Sequence, residues 1–239
     1  MRQVGHAILH IDAYDEDYLI TLPSLHIEGL IRGSPYVELN KSSYIVSSSG
    51  YVSRIDYAGA GWVSGTKNSF SAVVFPHGKE KSKSDIIYTI EGVWTDSFTV
   101  KDAGKHVVDS YNAKSEPKTA LQVADVANQD PLESRRAWKK VADAIIKGDM
   151  NVVSHEKTLI EEQQRALRKQ ETASNQPWER TFFTKTNNIT IADKLIREVP
   201  HGALEQDQTG GVWLFDSAKA SKAKPPYNQL SVTLKDGWK

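Results

Sequence analysis

The 239-residue sequence contains no cysteine, so disulfides, thiolate metal sites and thiol nucleophiles are all excluded. Net charge is also missing, because 30 Lys and Arg residues balance 30 Asp and Glu residues. A chain that coats nucleic acid or an anionic bilayer through blanket positive charge is therefore not expected, and nucleic acid is not an expected partner. No apolar run approaches the length that spans a bilayer. The first residues, MRQVGHAILHIDAY, lack the long apolar core and small-residue cleavage site of a secretory signal. These absences lead to an expectation of a soluble, cytoplasmic protein. No G-x-G-x-x-G, Walker loop, H-E-x-x-H or G-x-S-x-G is present, so nucleotide chemistry, zinc proteolysis and serine hydrolysis have no motif to start from. No cofactor is expected, and an enzyme is not expected. The N-I-T at 188 to 190 fits a glycosylation sequon, which reads as chance without a secretory signal.

What is present divides into two halves. From His6 to about Val123 the chain is rich in β-branched and aromatic residues, broken by SSSG at 47 to 50, AGAG at 58 to 61 and GKEKSKSD at 78 to 85. That pattern predicts a meander of seven to nine antiparallel strands. In DIIYTIEGVW, Ile86, Tyr88, Ile90 and Trp94 alternate onto one face. The second half opens on QDPLESRRAWKKVADAIIKGD, with Asp130 as helix N-cap, Pro131 at N1, Glu133 reaching back from N3 and Gly148 as the stop. Ala137, Val141, Ala144 and Ile145 mark its expected buried stripe. A second helix is expected from about Asn151 to Thr172, with Val152, Leu159, Ile160 and Leu167 toward the body, ending before Pro177. Three regions follow: an antiparallel barrel segment over 1–127, a two-helix region over 128–180, and a largely irregular extension over 181–239.

His6, His10 and Asp12 would share one strand face in the manner of a metal site. Residues four apart on a strand lie roughly 13 Å apart, however, too far for both histidines to reach one ion. No metal role is expected. In EKTLIEEQQRALRK, Lys157, Glu161 and Arg165 stand four apart, and a helix collects such residues into one slanted stripe. Spacing alone favours ordinary surface ion pairs, each contributing about 0.2–0.5 kcal/mol. The alternative is a site for a phosphorylated polyol, in which the planar Arg fork takes a phosphate, Lys supplies a point charge and Glu accepts from hydroxyls.

At YLITLPSLHIEGLIRGSPYVELNKSSYIVSSSGY, then KNSF at 67 to 70, YTIEGVW at 88 to 94, DPLESRRAWKKVADAI at 130 to 145 and QQRALRK at 163 to 169, the chain closely resembles the lipid-transfer domain of the oxysterol-binding protein family. The resemblance runs in order from about residue 3 to Phe183. It implies an incomplete antiparallel β-barrel enclosing a tunnel for one lipid, followed by a helical C-terminal region. It further implies carriage of a sterol or phosphatidylserine in one direction and phosphatidylinositol 4-phosphate in the other. Contact with membranes would be transient and peripheral, at endoplasmic reticulum contact sites or the Golgi. Lys157, Glu161 and Arg165 match the family's headgroup-binding helix. Gln3 falls where some sterol-binding members place a polar group, and Ile27 and Val37 match tunnel-wall positions, although core packing explains those two equally well. The family fingerprint E-Q-V-S-H-H-P-P is absent from the sequence, as are the lid helix and the first strands, so the resemblance is to the C-terminal half of the domain. The expected consequences are weakened lipid transfer and self-association through an open barrel edge. A non-transporting membrane or protein tether is the alternative function, and hydrolysis of lipid esters has only general Ser and His content in its favour.

Overall fold

The computed structural model describes residues 5–30, 33–59, 65–80, 82–176, 180–187, 190–200 and 212–224. In chain order the strands β1 to β9 are His6–Ile11, Glu16–Thr21, Ser24–Glu28, Tyr36–Ser47, Tyr51–Ala58, Ser69–Pro76, Tyr88–Val93, Ser97–Asp102 and Val107–Asn112. The helices α1 Ser134–Ala137, α2 Lys139–Lys147 and α3 Met150–Ser174 follow, then β10 Phe183–Thr186, α4 Thr190–Leu195, β11 Val212–Phe215 and α5 Ser217–Lys222. The chain forms two compact units, residues 1–118 with 185–212, and residues 119–184 with 213–239. Among the described residues no helix is long and apolar enough to cross a membrane.

In the first unit nine antiparallel strands run as a meander in the order β1-β2-β4-β5-β6-β7-β8-β9, with β3 paired to β4. Among the described residues the sheet is open, with β1, β3 and β9 each paired along one side only. Its register follows from one row of apolar side chains. Ile8, Leu19, Val46, Val52 and Phe75 stand opposite one another in succession across five strands. Slipping any strand by one residue would turn its member of the row to the other face. The short helix α4 lays Ala192 and Leu195 on this row, joined by Val199. Leu19, Val46, Val52 and Phe75 are almost completely buried, each contributing about 1.5–3 kcal/mol by removal from water. Strand β4 passes from partner β3 to partner β5 at Lys41, whose left-handed backbone (φ 67°) breaks its regular pleat.

Gly92 illustrates how closely the sheet is fitted. A Cβ there would lie 2.3 Å from the Ser97 carbonyl oxygen and 2.5 Å from Phe98 Cα. Both are backbone atoms, so a side chain can be accepted only by displacing the β7–β8 pairing. Gly92→Val is expected to destabilise the chain by about 2–3 kcal/mol, read as a lower midpoint in urea unfolding.

The second unit contains a helical hairpin built by local signals. Leu132 N–H donates to Asp130 Oδ1 (3.0 Å), while Glu133 Oε1 accepts from Asp130 N–H (3.1 Å). The reciprocal cap expected from the sequence therefore forms, but the helix begins only at Ser134 and breaks at Trp138 (φ −99°, ψ 7°). Gly148 takes the left-handed conformation (φ 74°) and ends α2, as glycine alone does at little cost. Asp149 then caps α3 by accepting from Val152 N–H at 3.1 Å, and left-handed Asn175 (φ 52°) ends it.

Val141 and Ala144 are buried on α2, but Ile145 is exposed, against the expectation that it closes the buried stripe. On α3, Val153, Ile160 and Leu167 are half-buried, whereas Val152 and Leu159 are exposed. Beyond residue 181, where lost periodicity predicts irregular chain, β10 and β11 form a two-stranded ribbon and α4 is helical. Six residues are too few to hold a helix by propensity; burial of Ala192 and Leu195 on the sheet holds α4.

Candidate functional site

The face of the sheet opposite the α4-covered row carries a second set of apolar rows. Register places Ile20 opposite Ile45. Ile55, Ala72, Ile90 and Val100 line up across β5 to β8. Beside them run Tyr57, Phe70, Gly92, Phe98 and Tyr111 across β5 to β9. Gly92 places no side chain between Phe70 and Phe98, and the two rings meet edge to face with centroids 5.8 Å apart. Phe98 in turn stacks on Tyr111 at 5.2 Å. Except for buried Ala72, these side chains are half-buried or exposed. A hydroxyl pair, Ser43 Oγ and Tyr57 Oη at 3.2 Å, stands among them. Such a surface presents apolar area to a flat, elongated ligand and little that would discriminate its chemistry. Sequence alternation identifies Ile90, but assembling the rows requires the register of five strand pairings.

Among the wall residues expected from the sequence, Ile27 and Val37 are brought together as a directly opposed pair on β3 and β4, and both are exposed. They lie beyond the break at Lys41, outside the continuous rows. Gln3 lies outside the described residues.

In the second unit α3 gathers Lys157, Glu161 and Arg165 into one stripe. The Lys157 ammonium is hydrogen-bonded to Glu161 Oε1, and Arg165 Nη2 lies 3.4 Å from Glu161 Oε2. The hydrogen bond from Lys157 and its charge, with the Arg165 charge beyond, hold the Glu161 carboxyl below the usual carboxylate range. Both pairs face solvent, where such contacts are weak and readily exchanged for a ligand. One carboxylate between two cations leaves the stripe with a net positive charge. Its guanidinium has five N–H donors, so its contact with Glu161 still leaves a fork for an incoming phosphate.

The histidines on β1 do not act together. His10 lies 3.0 Å from Asp17 and 3.3 Å from Asp12, and the Asp17 hydrogen bond raises its pKa. Partial burial lowers that of His6. Among the described residues no group of three His, Asp or Glu side chains is placed to hold a metal ion.

Glu38 is a buried carboxylate that sequence reading passes over. It is 4% exposed and accepts from Asn68 N–H at 3.0 Å. Burial raises its pKa above the usual value, against the lowering effect of that hydrogen bond. With the folded-state pKa raised, the unfolded chain loses the proton first as pH climbs. Stability is therefore full below the unfolded-state pKa and falls until pH passes the folded-state value. Glu38→Gln is expected to match the parent in acid and exceed it at neutral pH, as measured by urea unfolding at a series of pH values.

Comparison with known proteins agrees with this architecture. A family model described as oxysterol-binding protein matches residues 1–145. The probable transporter efuK of Hormonema carpetanum is 41% identical over 234 residues, covering 95% of this chain and 33% of the relative. Protein kes1 of Schizosaccharomyces pombe is 41% identical over 208 residues, covering 83% of this chain and 52% of the relative. The chain thus spans between a third and about half the length of these relatives. Among solved structures, the Osh1 ORD domain in complex with ergosterol superposes with a TM-score of 0.58 at 16% identity, over 90% of this chain and 53% of that one. The Osh3 ORD in complex with PI(4)P from Saccharomyces cerevisiae gives 0.50 at 19% identity, over 75% and 49%. With more than half of its residues matched by the family model, the chain belongs to the oxysterol-binding protein family.

Proposed function

We propose that this chain binds membrane lipids and takes part in their transfer, exchanging a sterol or phosphatidylserine for phosphatidylinositol 4-phosphate. The observation that carries this reading is the second sheet face. Its apolar rows reach across most of the meander, and burying a lipid's hydrocarbon against them supplies affinity in proportion to area, about 25 cal/mol per Å². The family's solved members in complex with ergosterol and PI(4)P support the same ligand classes. Selection falls to polar groups, because a phosphate removed from water without partners costs several kcal/mol and a paired one is tolerated. Lys157, Glu161 and Arg165 are the groups proposed for the inositol phosphate. Gln3, Ile27 and Val37 are proposed as further ligand contacts. Exchange then requires no bond to be made or broken. Two lipids compete for binding, and each is abundant on a different membrane. The proposed working place is the cytoplasmic surface of the endoplasmic reticulum or Golgi.

The open sheet edges bear on how well the 239-residue chain performs alone. Among the described residues no strand pairs the outer sides of β1 and β9; such edges offer a template for another strand, and the apolar face beside them favours association. The isolated chain is expected to self-associate by light scattering and to move fluorescent sterol between vesicles slowly. Vesicle clustering with no lipid removed from donor membranes would favour a tether instead and contradict transfer.

A further inference from the structure

We propose that the turn between α2 and α3 is a membrane-docking tip. It would insert Ile145, Ile146 and Met150 into the interfacial layer of an anionic bilayer. The three side chains are 58%, 84% and 66% exposed and lie within six residues of one another. No lateral packing explains this exposure. Helix α2 buries Val141 and Ala144, and the left-handed Gly148 then reverses the chain before α3 can cover the next turn. Scattered single apolar residues on a surface need no explanation, but a cluster at one turn does.

Charge selects the occupant. The whole chain is neutral, yet Ser134–Met150 carries Arg135, Arg136, Lys139, Lys140 and Lys147 against Asp143 and Asp149, five positive charges and two negative, an excess of three. Asp143 is paired with Lys139, and Asp149 is engaged in capping α3. Lys147, the last residue of α2, makes no ion pair among the described residues, so its ammonium can reach lipid phosphates while its stem lies along the acyl boundary. Lys140 is drawn to Glu156 on α3 and Arg136 donates to the Ala127 and Gln129 carbonyls, so Lys147 is the cation that accompanies the apolar trio, a combination that fits an anionic lipid surface. Trp138, also exposed, adds an aromatic ring of the kind that favours such interfaces.

This placement rests on the lipid-transfer reading in one respect: it explains how the α3 stripe meets its lipid. Lys157 stands seven residues beyond Met150, about 10 Å along the helix axis. With α3 leading away from the bilayer, a tip held at the acyl boundary would set Lys157 just above the headgroup layer and Arg165, about 22 Å from Met150, further out, where the stripe meets a lipid drawn from the membrane.

The absence of cysteine makes the test direct. Ile146→Cys carrying one environment-sensitive fluorophore is mixed with vesicles of phosphatidylcholine with or without phosphatidylserine. A blue shift with the phosphatidylserine vesicles, quenched by spin-labelled lipid and absent for a label at Lys169→Cys, is the expected result. Ile146→Ser combined with Met150→Ser should weaken co-sedimentation with those vesicles roughly tenfold or more without moving the thermal midpoint. Three results would overturn the proposal: no sedimentation with anionic vesicles, a label that stays in water while the chain sediments, or a spectral change that follows protein concentration without lipid, which would assign the tip to a second copy. Failure of the headgroup reading is read separately, because Arg165→Glu should still dock on phosphatidylserine vesicles, while the tip variants should still bind short-chain phosphatidylinositol 4-phosphate in solution.

Discussion

Arg165→Glu is expected to weaken binding of short-chain phosphatidylinositol 4-phosphate by at least about 100-fold. The substitution removes a charge-assisted fork and places a second carboxylate where the phosphate would sit. Loss of a buried or half-buried charge pair with reversal costs on the order of 3 kcal/mol or more, which is that factor in affinity. The fold should be unaffected. The Arg165 side chain faces solvent and its pair with Glu161 contributes only a few tenths of a kcal/mol. Arg165→Lys separates charge from geometry: it keeps the point charge, loses the planar fork, and should retain an intermediate affinity. If contact with acidic lipid were diffuse, as for a tether, both variants would behave alike and close to the parent. Isothermal titration with the soluble lipid decides between these outcomes, because it excludes the contribution of the membrane surface.

Phe75→Ala is the substitution with the largest expected effect on stability. Phe75 is almost completely buried at the end of the row that runs through Val52, Val46 and Leu19. Truncation removes the transfer energy of the ring and leaves a cavity between the sheet and α4, together about 3–5 kcal/mol. For a chain of this size each kcal/mol lowers the melting temperature by about 2–4 °C, so scanning calorimetry should register a fall on the order of 10 °C. The comparison is Val107→Ala on the exposed edge strand β9, where removing two methyl groups from a solvated side chain should change stability by less than about 0.5 kcal/mol.

How much of this was legible in the sequence depends on whether the deciding interaction is local. Gly148 as a helix stop and the reciprocal hydrogen bonds of Asp130 and Glu133 depend on neighbours a few residues away, and the structure places both where the spacing predicts. The nine-strand meander follows from turn residues at short intervals. Ile145 is different. Its position four residues after Val141 matches a buried stripe, yet its exposure is decided by where the chain reverses. Helix α4 is too short to announce itself by periodicity and exists because Ala192 and Leu195 meet Leu19 and Val46.

The apolar rows that favour a lipid ligand were only partly visible. Ile90 stands out by alternation, but its alignment with Ile55, Ala72 and Val100 is a property of hydrogen-bond register. For Lys157, Glu161 and Arg165 the spacing predicted a shared stripe, and α3 provides one. A surface ion-pair row has the same geometry, and the phosphoinositide titration separates the two.

Titrating the 239-residue chain with short-chain phosphatidylinositol 4-phosphate, and in parallel with short-chain phosphatidylinositol lacking the 4-phosphate, tests the central claim most directly. The account predicts saturable one-to-one binding of the first that weakens as salt is raised, and far weaker binding of the second. Equal affinity for both lipids, or no binding of either, would contradict it.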